Sequence, residues 1–327
     1  MTARVSVAMC TFNGERFLRQ QLESIAGQEK LPDELVVCDD GSRDASLEIL
    51  QEFSSRARFP VRIVSNEKNL GSTKNFEKVI SLCDGDLIAL GDQDDVWRRQ
   101  KLSRLTQVLN ADESAGGVFS DATLIDAEGK PIGKRLWEIH RFGFARASDF
   151  DRMTAIRLLL KHDVVTGATL MFRASMRSFL TPIPVCWIHD GWIAWMIALY
   201  SRLTFVNEPL LQYRVHAAQQ LGVGHFHWPR ESRQSDMDQN GFKRMVAQFE
   251  TLRERWIARS GGDSDECLGL IEKKISFLRR RSSLPGNPLR RALEVFSSVY
   301  SYQHYARGLS SMRGDLFLPL PSEGQEH

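Results

Sequence analysis

The chain has 327 residues, of which 42% are hydrophobic and 26% charged, with a formal net charge of +2. That is enough apolar material for one large domain or two interleaved ones, and it excludes a disordered or fibrous chain. The balanced charge calls for no nucleic-acid partner, and the longest apolar run, residues 191–200, is too short for a bilayer span of about 20 residues.

The first stretch, MTARVSVAMC, runs almost directly into a strand at residues 5–9, leaving no room for a signal peptide. A helix follows over residues 15–28, with Leu18, Leu22 and Ile25 on one face and Asn13 as its expected N-cap. The second strand is 35–38. Ser42 is the expected cap of a helix that aligns Leu47, Leu50 and Phe53. The third strand is 61–64, and a helix over 73–83 carries Phe76, Val79, Ile80 and Cys83. Gly85 breaks that helix before the fourth strand, 87–90. This β-α alternation predicts an α/β fold with a mostly parallel sheet and helices on both faces.

Beyond Gly116 the pattern changes. Strands are expected at 118–125, 167–172, 204–206 and 210–213, the last two around Pro209, with a turn at AEGK and helices at 154–160 and 192–200. A polar linker, PRESRQSDMDQNG, precedes three expected helices at 242–258, 267–280 and 289–309, and the tail PLPSEGQEH has a disordered composition. No internal repeat is evident. The cysteines, Cys10, Cys38, Cys83, Cys186 and Cys267, form no CxxC pair and mostly sit in apolar stretches, so reduced core thiols in a cytosolic protein are expected.

In open parallel sheets ligands sit beyond the carboxyl ends of the strands. CTFN, DDGS, SNEKNLGS and GDQDD follow the four strands in turn, so four polar loops share one rim. The last loop places Asp92, Asp94 and Asp95 within four residues, a crowding that like-charge repulsion opposes. A hard divalent cation, Mg²⁺ or Mn²⁺, would relieve it while holding a diphosphate, since such ions take one or two protein carboxylates plus phosphate oxygens. The competing reading is that these aspartates only cap the next helix, a role that suits Asp95 best.

VSVAMCTFN, ELVVCDDGSRD, NEKNLGSTKNF and DGDLIALGDQDDVW together resemble the donor half of family 2 glycosyltransferases, inverting enzymes of GT-A fold that use nucleotide-diphosphate sugars. TGATLMFRA, WIHDGW and YRVH extend the resemblance to about His216, toward bacterial rhamnosyltransferase-like enzymes of surface-polysaccharide synthesis such as O-antigen. The resemblance implies a donor-binding half at residues 1–110, an acceptor-binding and catalytic half at 111–228, a helical region at 235–313 and a tail at 314–327.

It also implies residue roles. Thr11, Phe12 and Asn13 line the base pocket, and Asp40, with Asp39 the weaker candidate, bonds base or ribose. Asn69, Gly71 and Lys74 lie by the donor, where Lys74 either meets a phosphate or sits on a solvated helix face. Asp92 and Asp94 form the DxD unit, with Asp94 the better metal ligand and Asp92 turned toward metal or ribose. His216 matches the family's YRxH element and either completes the metal shell or contacts the leaving diphosphate. The chain then departs from the family, reading AAQQLGVGHFH, and the HxH of His225 and His227 reads as loop for want of a third ligand. Asp190 is the expected general base, with N-capping the competing role, His189 a supporting or substitute group and Asp163 a weaker rival.

The implied partners are a nucleotide-diphosphate sugar and a saccharide or lipid-linked glycan acceptor. Residues 242–313 hold 14 Lys/Arg against 7 Asp/Glu, with Phe296, Tyr300, Tyr302 and Tyr305 nearby. That composition suits anionic headgroups at the inner face of the plasma membrane, and equally a solvated cap or a dimer surface. A sugar-nucleotide pyrophosphorylase would need a Gly-rich loop where CTFNGERF stands, and a dinucleotide oxidoreductase would need GxGxxG there. A non-catalytic nucleotide-sugar-binding protein would tolerate loss of Asp94 and Asp190, and both are present.

Overall fold

The computed structural model describes residues 3–140, 142, 150–217, 219, 239–260 and 266–317. They belong to two compact units, one of residues 1–155 and 163–224, the other of 156–162 and 225–327.

The first unit begins with the expected alternation: β1 (Val5–Thr11), α1 (Glu15–Ala26), β2 (Glu34–Asp39), α2 (Ser46–Arg56), β3 (Val61–Ser65), α3 (Ser72–Leu82) and β4 (Leu87–Gly91). β1, β2 and β4 are buried along nearly their whole length, as apolar runs covered on both faces must be. Helix α1 buries Leu18, Leu22 and Ile25, the stripe its spacing predicts, and each is worth about 1.5–3 kcal/mol out of water.

There follow β5 (Val96–Trp97), α4 (Lys101–Ala111), β6 (Ala115–Ile125), β7 (Pro131–Arg135), α5 (Leu136–His140) and α6 (Arg152–Leu159). After these come β8 (Leu170–Arg173), α7 (Arg177–Leu180), α8 (His189–Tyr200) and β9 (Arg202–Arg214). The sheet order is β3-β2-β1-β4-β8-β6-β9-β5, with β7 on β6. Pairing is parallel from β3 to β4; β8 joins antiparallel to β4 and β6, while β6 and β9 run parallel. The sheet as a whole is therefore mixed. Its order reverses between β1 and β4, which sets the loops after those strands side by side at the carboxyl rim.

Several local expectations change. Asn13 does not cap α1. It holds a positive φ of 48°, and its side-chain Oδ1 accepts from the Arg43 amide. Ser42 does not cap α2 either; Asp44, two residues before Ser46, accepts from its amide. Residues 167–169 form a 3-10 turn ahead of β8. The two strands expected around Pro209 are one strand, β9, whose register against β6 shifts beside Pro209. Cys38, Cys83 and Cys267 are buried, Cys186 is exposed, and no described cysteine is in a disulfide. Burial pushes the Cys38 thiol up to about 11 and the Cys83 thiol up to about 12, so both are unreactive protonated thiols.

The second unit contains the helices Gln239–Ser260, Glu266–Ser282, Pro288–Ser297, Val299–Tyr305 and Leu309–Leu316. The single helix expected over 289–309 is thus interrupted. Ala306 is extended and Gly308 takes a φ of 59°, so the chain turns before Leu309. This unit buries Leu252, Ile271, Ile275, Phe277 and Val295, and also an ion pair whose arginine lies over the Phe242, Phe277 and Tyr302 rings. Arg281 donates from Nε and Nη2 to the two oxygens of Asp315, at 2.6 and 2.7 Å, and Tyr302 donates to the same carboxylate. Buried Lys274 is satisfied by the carbonyls of Leu160 and Tyr305, at 2.7 and 2.6 Å. The tail and the HxH of His225 and His227 lie outside the described residues, as does most of the expected linker.

Candidate functional site

An open cleft lies at the carboxyl rim of the first unit. Its walls include Thr11 and Phe12 after β1, Asp40 after β2, Asp92 and Asp94 after β4, Asp190 at the start of α8, and Tyr213 and His216 at the end of β9. Seven of the residues singled out from sequence therefore face one space.

The crowded carboxylates separate into two kinds. Asp95 turns inward, is 1% exposed, and accepts from the Arg214 amide at 3.0 Å, while its Oδ2 has no partner. It is not the helix cap it was expected to be, since α4 begins six residues later at Lys101. Burial, then the charges of Asp94 and Asp92, push its carboxyl well above the usual range. Lys101 lies on the same buried side. Its ammonium donates to the Ala168 carbonyl at 2.5 Å and sits 3.4 Å from the centre of the Trp97 ring. Burial pulls the Lys101 pKa well below its ordinary value, against the opposing pull of Asp95 and then Asp92.

Asp92 and Asp94 instead face the cleft. Burial, then Asp94 and Asp190, push the Asp92 carboxyl up to about 7, with Lys101 acting the other way. No described residue hydrogen-bonds its carboxylate. Asp94 Oδ2 lies 2.8 Å from His216 Nε2, and the His216 ring packs against Phe17 at 4.7 Å between centroids.

Arg214 holds this corner together. It is 1% exposed, lies over Phe17, and donates to the carbonyls of Asp94, Asp126 and Ala127 and to Gln20 Oε1. The antiparallel register of Val96 with Gln212 and Trp97 with Leu211 brings these segments together. Extending it back along β5 sets the Asp94–Asp95 corner beside Arg214 and His216.

Asp190, which also lines the cleft, is in the first turn of α8 but is not its N-cap, which is Ile188. Its Oδ1 accepts from the Gly191 amide at 2.7 Å and its Oδ2 from the Gly167 amide at 3.0 Å. Each oxygen keeps further lone-pair capacity toward the cleft. Gly167 is required there, because a Cβ would stand 2.8 Å from His189 Nε2. His189 is stacked on Phe76 at 3.8 Å, and neither ring nitrogen has a partner. Burial holds its pKa below the usual histidine value, with Asp190 opposing, so it is a neutral neighbour.

Of the remaining candidates, Asp39, Asn69, Gly71, Lys74 and Asp163 do not line the cleft. Asp39 is fully buried and satisfied by the Thr11 and Ser42 hydroxyls and the Gly41 and Ser42 amides, which leaves it no oxygen for a nucleotide. Asp40 has a double part. It faces the cleft, yet it also accepts from Asn66 Nδ2 and the Leu70 and Gly71 amides, fastening the loop before α3. Asn69 donates to the Asp40 carbonyl, and Gly71 takes a φ of 77° that places its amide on Asp40. Lys74, expected beside a phosphate, bonds Glu77 and the Ile183 carbonyl, both at 2.7 Å. Asp163 is not among the lining residues.

Sequence reasoning missed four members. Lys101 and Arg214 are basic side chains buried behind the aspartates. Arg214 is part of the quoted YRVH, but only its histidine was read. Tyr213 lines the cleft, and burial followed by Asp95 and Asp92 pushes its phenol well above the usual value. Gln93, inside the DQDD run, accepts from the Phe12 amide at 2.8 Å and donates to its carbonyl at 3.1 Å, tying the loops after β1 and β4.

Among the described residues no group of three or more His, Cys, Asp and Glu side chains is arranged to hold a metal ion by itself. Asp92 and Asp94 nevertheless suit a cation that takes its other oxygens from a ligand: one carboxylate lacks hydrogen bonds and the other shares one oxygen with an imidazole.

A family model described as glycosyl transferase family 2 matches residues 6–179. A glycosyltransferase of unassigned activity from a Nostoc species is 25% identical over 220 residues, covering 66% of this chain and 66% of its own. The dTDP-rhamnosyl transferase RfbG of Shigella flexneri is 32% identical over 105 residues, 31% of this chain and 36% of its own. This chain spans 59% of the length of a Mycobacterium tuberculosis relative to which it is 29% identical over 220 residues. Among solved structures, TarS residues 1–349 from S. aureus, in complex with UDP-GlcNAc, superposes with a TM-score of 0.59 at 14% identity, over 92% of this chain and 81% of that one. The mannosyltransferase PcManGT from Pyrobaculum calidifontis, in complex with GDP-Man and Mn²⁺, gives 0.54 at 16% identity, over 97% and 86%. These two likenesses concern the fold, which is the expected α/β arrangement of GT-A type with C-terminal helices.

Proposed function

This chain belongs to glycosyl transferase family 2, and from that membership we propose a specific reaction. It moves a sugar from a nucleotide-diphosphate sugar to a hydroxyl of a saccharide or lipid-linked glycan, with inversion, in bacterial surface-polysaccharide synthesis. The observation that carries this reading is that Asp190 lines the same cleft as Asp92 and Asp94, close enough for its charge to act on Asp92.

In this reading Thr11, Phe12 and Asp40 receive the nucleoside, with Asn13, Asn69 and Gly71 shaping the loops around them. Asp92, Asp94 and His216 would hold Mn²⁺ or Mg²⁺ together with the donor's diphosphate. A cation bound there supplies positive charge against the negative charge that develops on the departing diphosphate. Asp190 accepts the proton of the acceptor hydroxyl as its oxygen bonds the anomeric carbon and the carbon–oxygen bond to the diphosphate breaks. Attack from the face opposite the leaving group inverts that carbon and needs no protein nucleophile. The two amides on Asp190 fix its orientation, and the neutral His189 beside it supplies no cation to neutralise it. The match to RfbG, limited to about a third of the chain, supports a deoxyhexosyl donor as the finer reading.

The test is incubation with a panel of nucleotide sugars and Mn²⁺ or Mg²⁺, with a mixed glycan acceptor, scoring nucleoside diphosphate release. Release with one or a few donors supports the transferase. Nucleoside triphosphate formed on adding pyrophosphate would indicate a pyrophosphorylase instead, and no turnover with any donor would favour a binding protein.

A further inference from the structure

Of the eleven large hydrophobic side chains exposed among the described residues, seven lie between residues 289 and 317. The concentration is more than scatter, because three of them form one stripe along the helix Pro288–Ser297. Leu289, Leu293 and Phe296 are 77%, 71% and 61% exposed and are spaced four and three residues apart. At 3.6 residues per turn that spacing keeps them within an arc of about 60°. The helix Pro288–Ser297 buries Arg291 and Val295, which fall on its far side, so its apolar stripe points into solvent. A helix packed on a globular core shows the reverse arrangement. Tyr302 and Tyr305, which composition alone would add to this surface, are buried at 1% and 6% exposure.

Charge decides what the stripe faces. Among residues 288–317 the exposed ionised side chains are Arg290, Arg307 and Arg313 against Glu294 alone. Two copies meeting through this face would bring like charges together, whereas an anionic surface is attracted to it. The helix has ten residues, about 15 Å, and no helix among the described residues is long and apolar enough to cross a membrane, so any lipid contact lies in the plane of the surface. We propose that Leu289, Leu293 and Phe296 form a membrane-resting face, inserted at the headgroup boundary of an anionic lipid surface, with the three arginines at the phosphates. This goes beyond the transfer reaction and does not depend on it.

The experiment is flotation of the full chain with vesicles of phosphatidylcholine alone or mixed with phosphatidylglycerol, at low and high salt. The wild type is expected to float with the mixed vesicles and less so at high salt. The double variant Leu293→Glu/Phe296→Glu, exposed and so without effect on folding, is expected to lose retention at least about tenfold. Arg307→Gln/Arg313→Gln is expected to lose mainly the salt-sensitive part. Absence of wild-type flotation, or equal flotation of the Glu variant, overturns the proposal. So does a wild-type dimer in sedimentation that the Glu variant dissociates while vesicles stay unbound. None of these readouts uses sugar transfer, so failure here is separable from failure of the transferase reading.

Discussion

Replacing Asp190 by Asn separates chemistry from scaffolding at the proposed base. In the wild type its two oxygens each accept one amide, from Gly191 at 2.7 Å and Gly167 at 3.0 Å. An Asn side chain has one carbonyl oxygen, so one of these amides would face an NH₂ group. That loss is local and costs about 1–3 kcal/mol of stability. Removing a general base lowers turnover by about 10²–10⁴-fold, which is about 2.7–5.5 kcal/mol of barrier. The two effects appear in different measurements. Acceptor-dependent release of nucleoside diphosphate reports the barrier, calorimetric titration with nucleoside diphosphate reports the donor site, and the thermal midpoint reports the scaffold. The expected result is turnover down at least about a hundredfold, nucleotide affinity within about threefold of wild type, and a small fall in midpoint. Turnover within a few-fold of wild type would remove Asp190 from the reaction. An equal loss of nucleotide affinity and turnover would show that it only braces Gly167 and the cleft wall.

Asp94→Ala should reduce the gain in nucleotide affinity on adding Mn²⁺ while leaving metal-free binding unchanged, measured by calorimetry; an identical gain in both proteins would end the ligand assignment. Lys101→Met removes the buried donor to the Ala168 carbonyl and should destabilise the fold by about 1–3 kcal/mol in urea unfolding. A change below about 0.5 kcal/mol would mean that this buried hydrogen bond does not support the fold. Glu34 gives a pH test. Burial would raise its carboxyl, but the Ser6 hydroxyl, the Asp84 amide and Arg62 outweigh it and hold the group below its ordinary 4.5. A carboxylate depressed on folding stabilises fully above the unfolded value and loses that contribution as pH falls through the folded one. The stability gap between wild type and Glu34→Gln should therefore close on acidification below about pH 4.5, and a constant gap from neutral pH to about pH 3 would refute the linkage.

What the sequence determined by itself was the first half of the sheet and the rim that bears the site. Apolar runs at β1, β2 and β4 and the stripes of α1 to α3 are local signals, since burial on a strand or helix repeats every few residues. A strand's carboxyl end is legible wherever its apolar run stops, so Thr11, Phe12, Asp40, Asp92 and Asp94 could be placed at one edge before any fold was known. Helix caps were misplaced at Asn13 and Ser42, because short polar residues compete for the same turn and only the path of the chain chooses among them.

The tertiary structure alone decided which of those polar residues face the cleft. Asp39 and Asp40 are neighbours in the same motif, yet one is wholly consumed by Thr11 and the turn after β2 while the other looks outward. Asp95 turns from its two companions because Arg214, 119 residues away, presents an amide to it. Lys101 reaches Ala168 across 67 residues, and His216 reaches Asp94 across 122. No periodicity encodes such pairs. They arise because β9 returns beside β6 and then pairs with β5, and desolvation inside that corner makes each buried charge depend on a partner that only the completed sheet delivers.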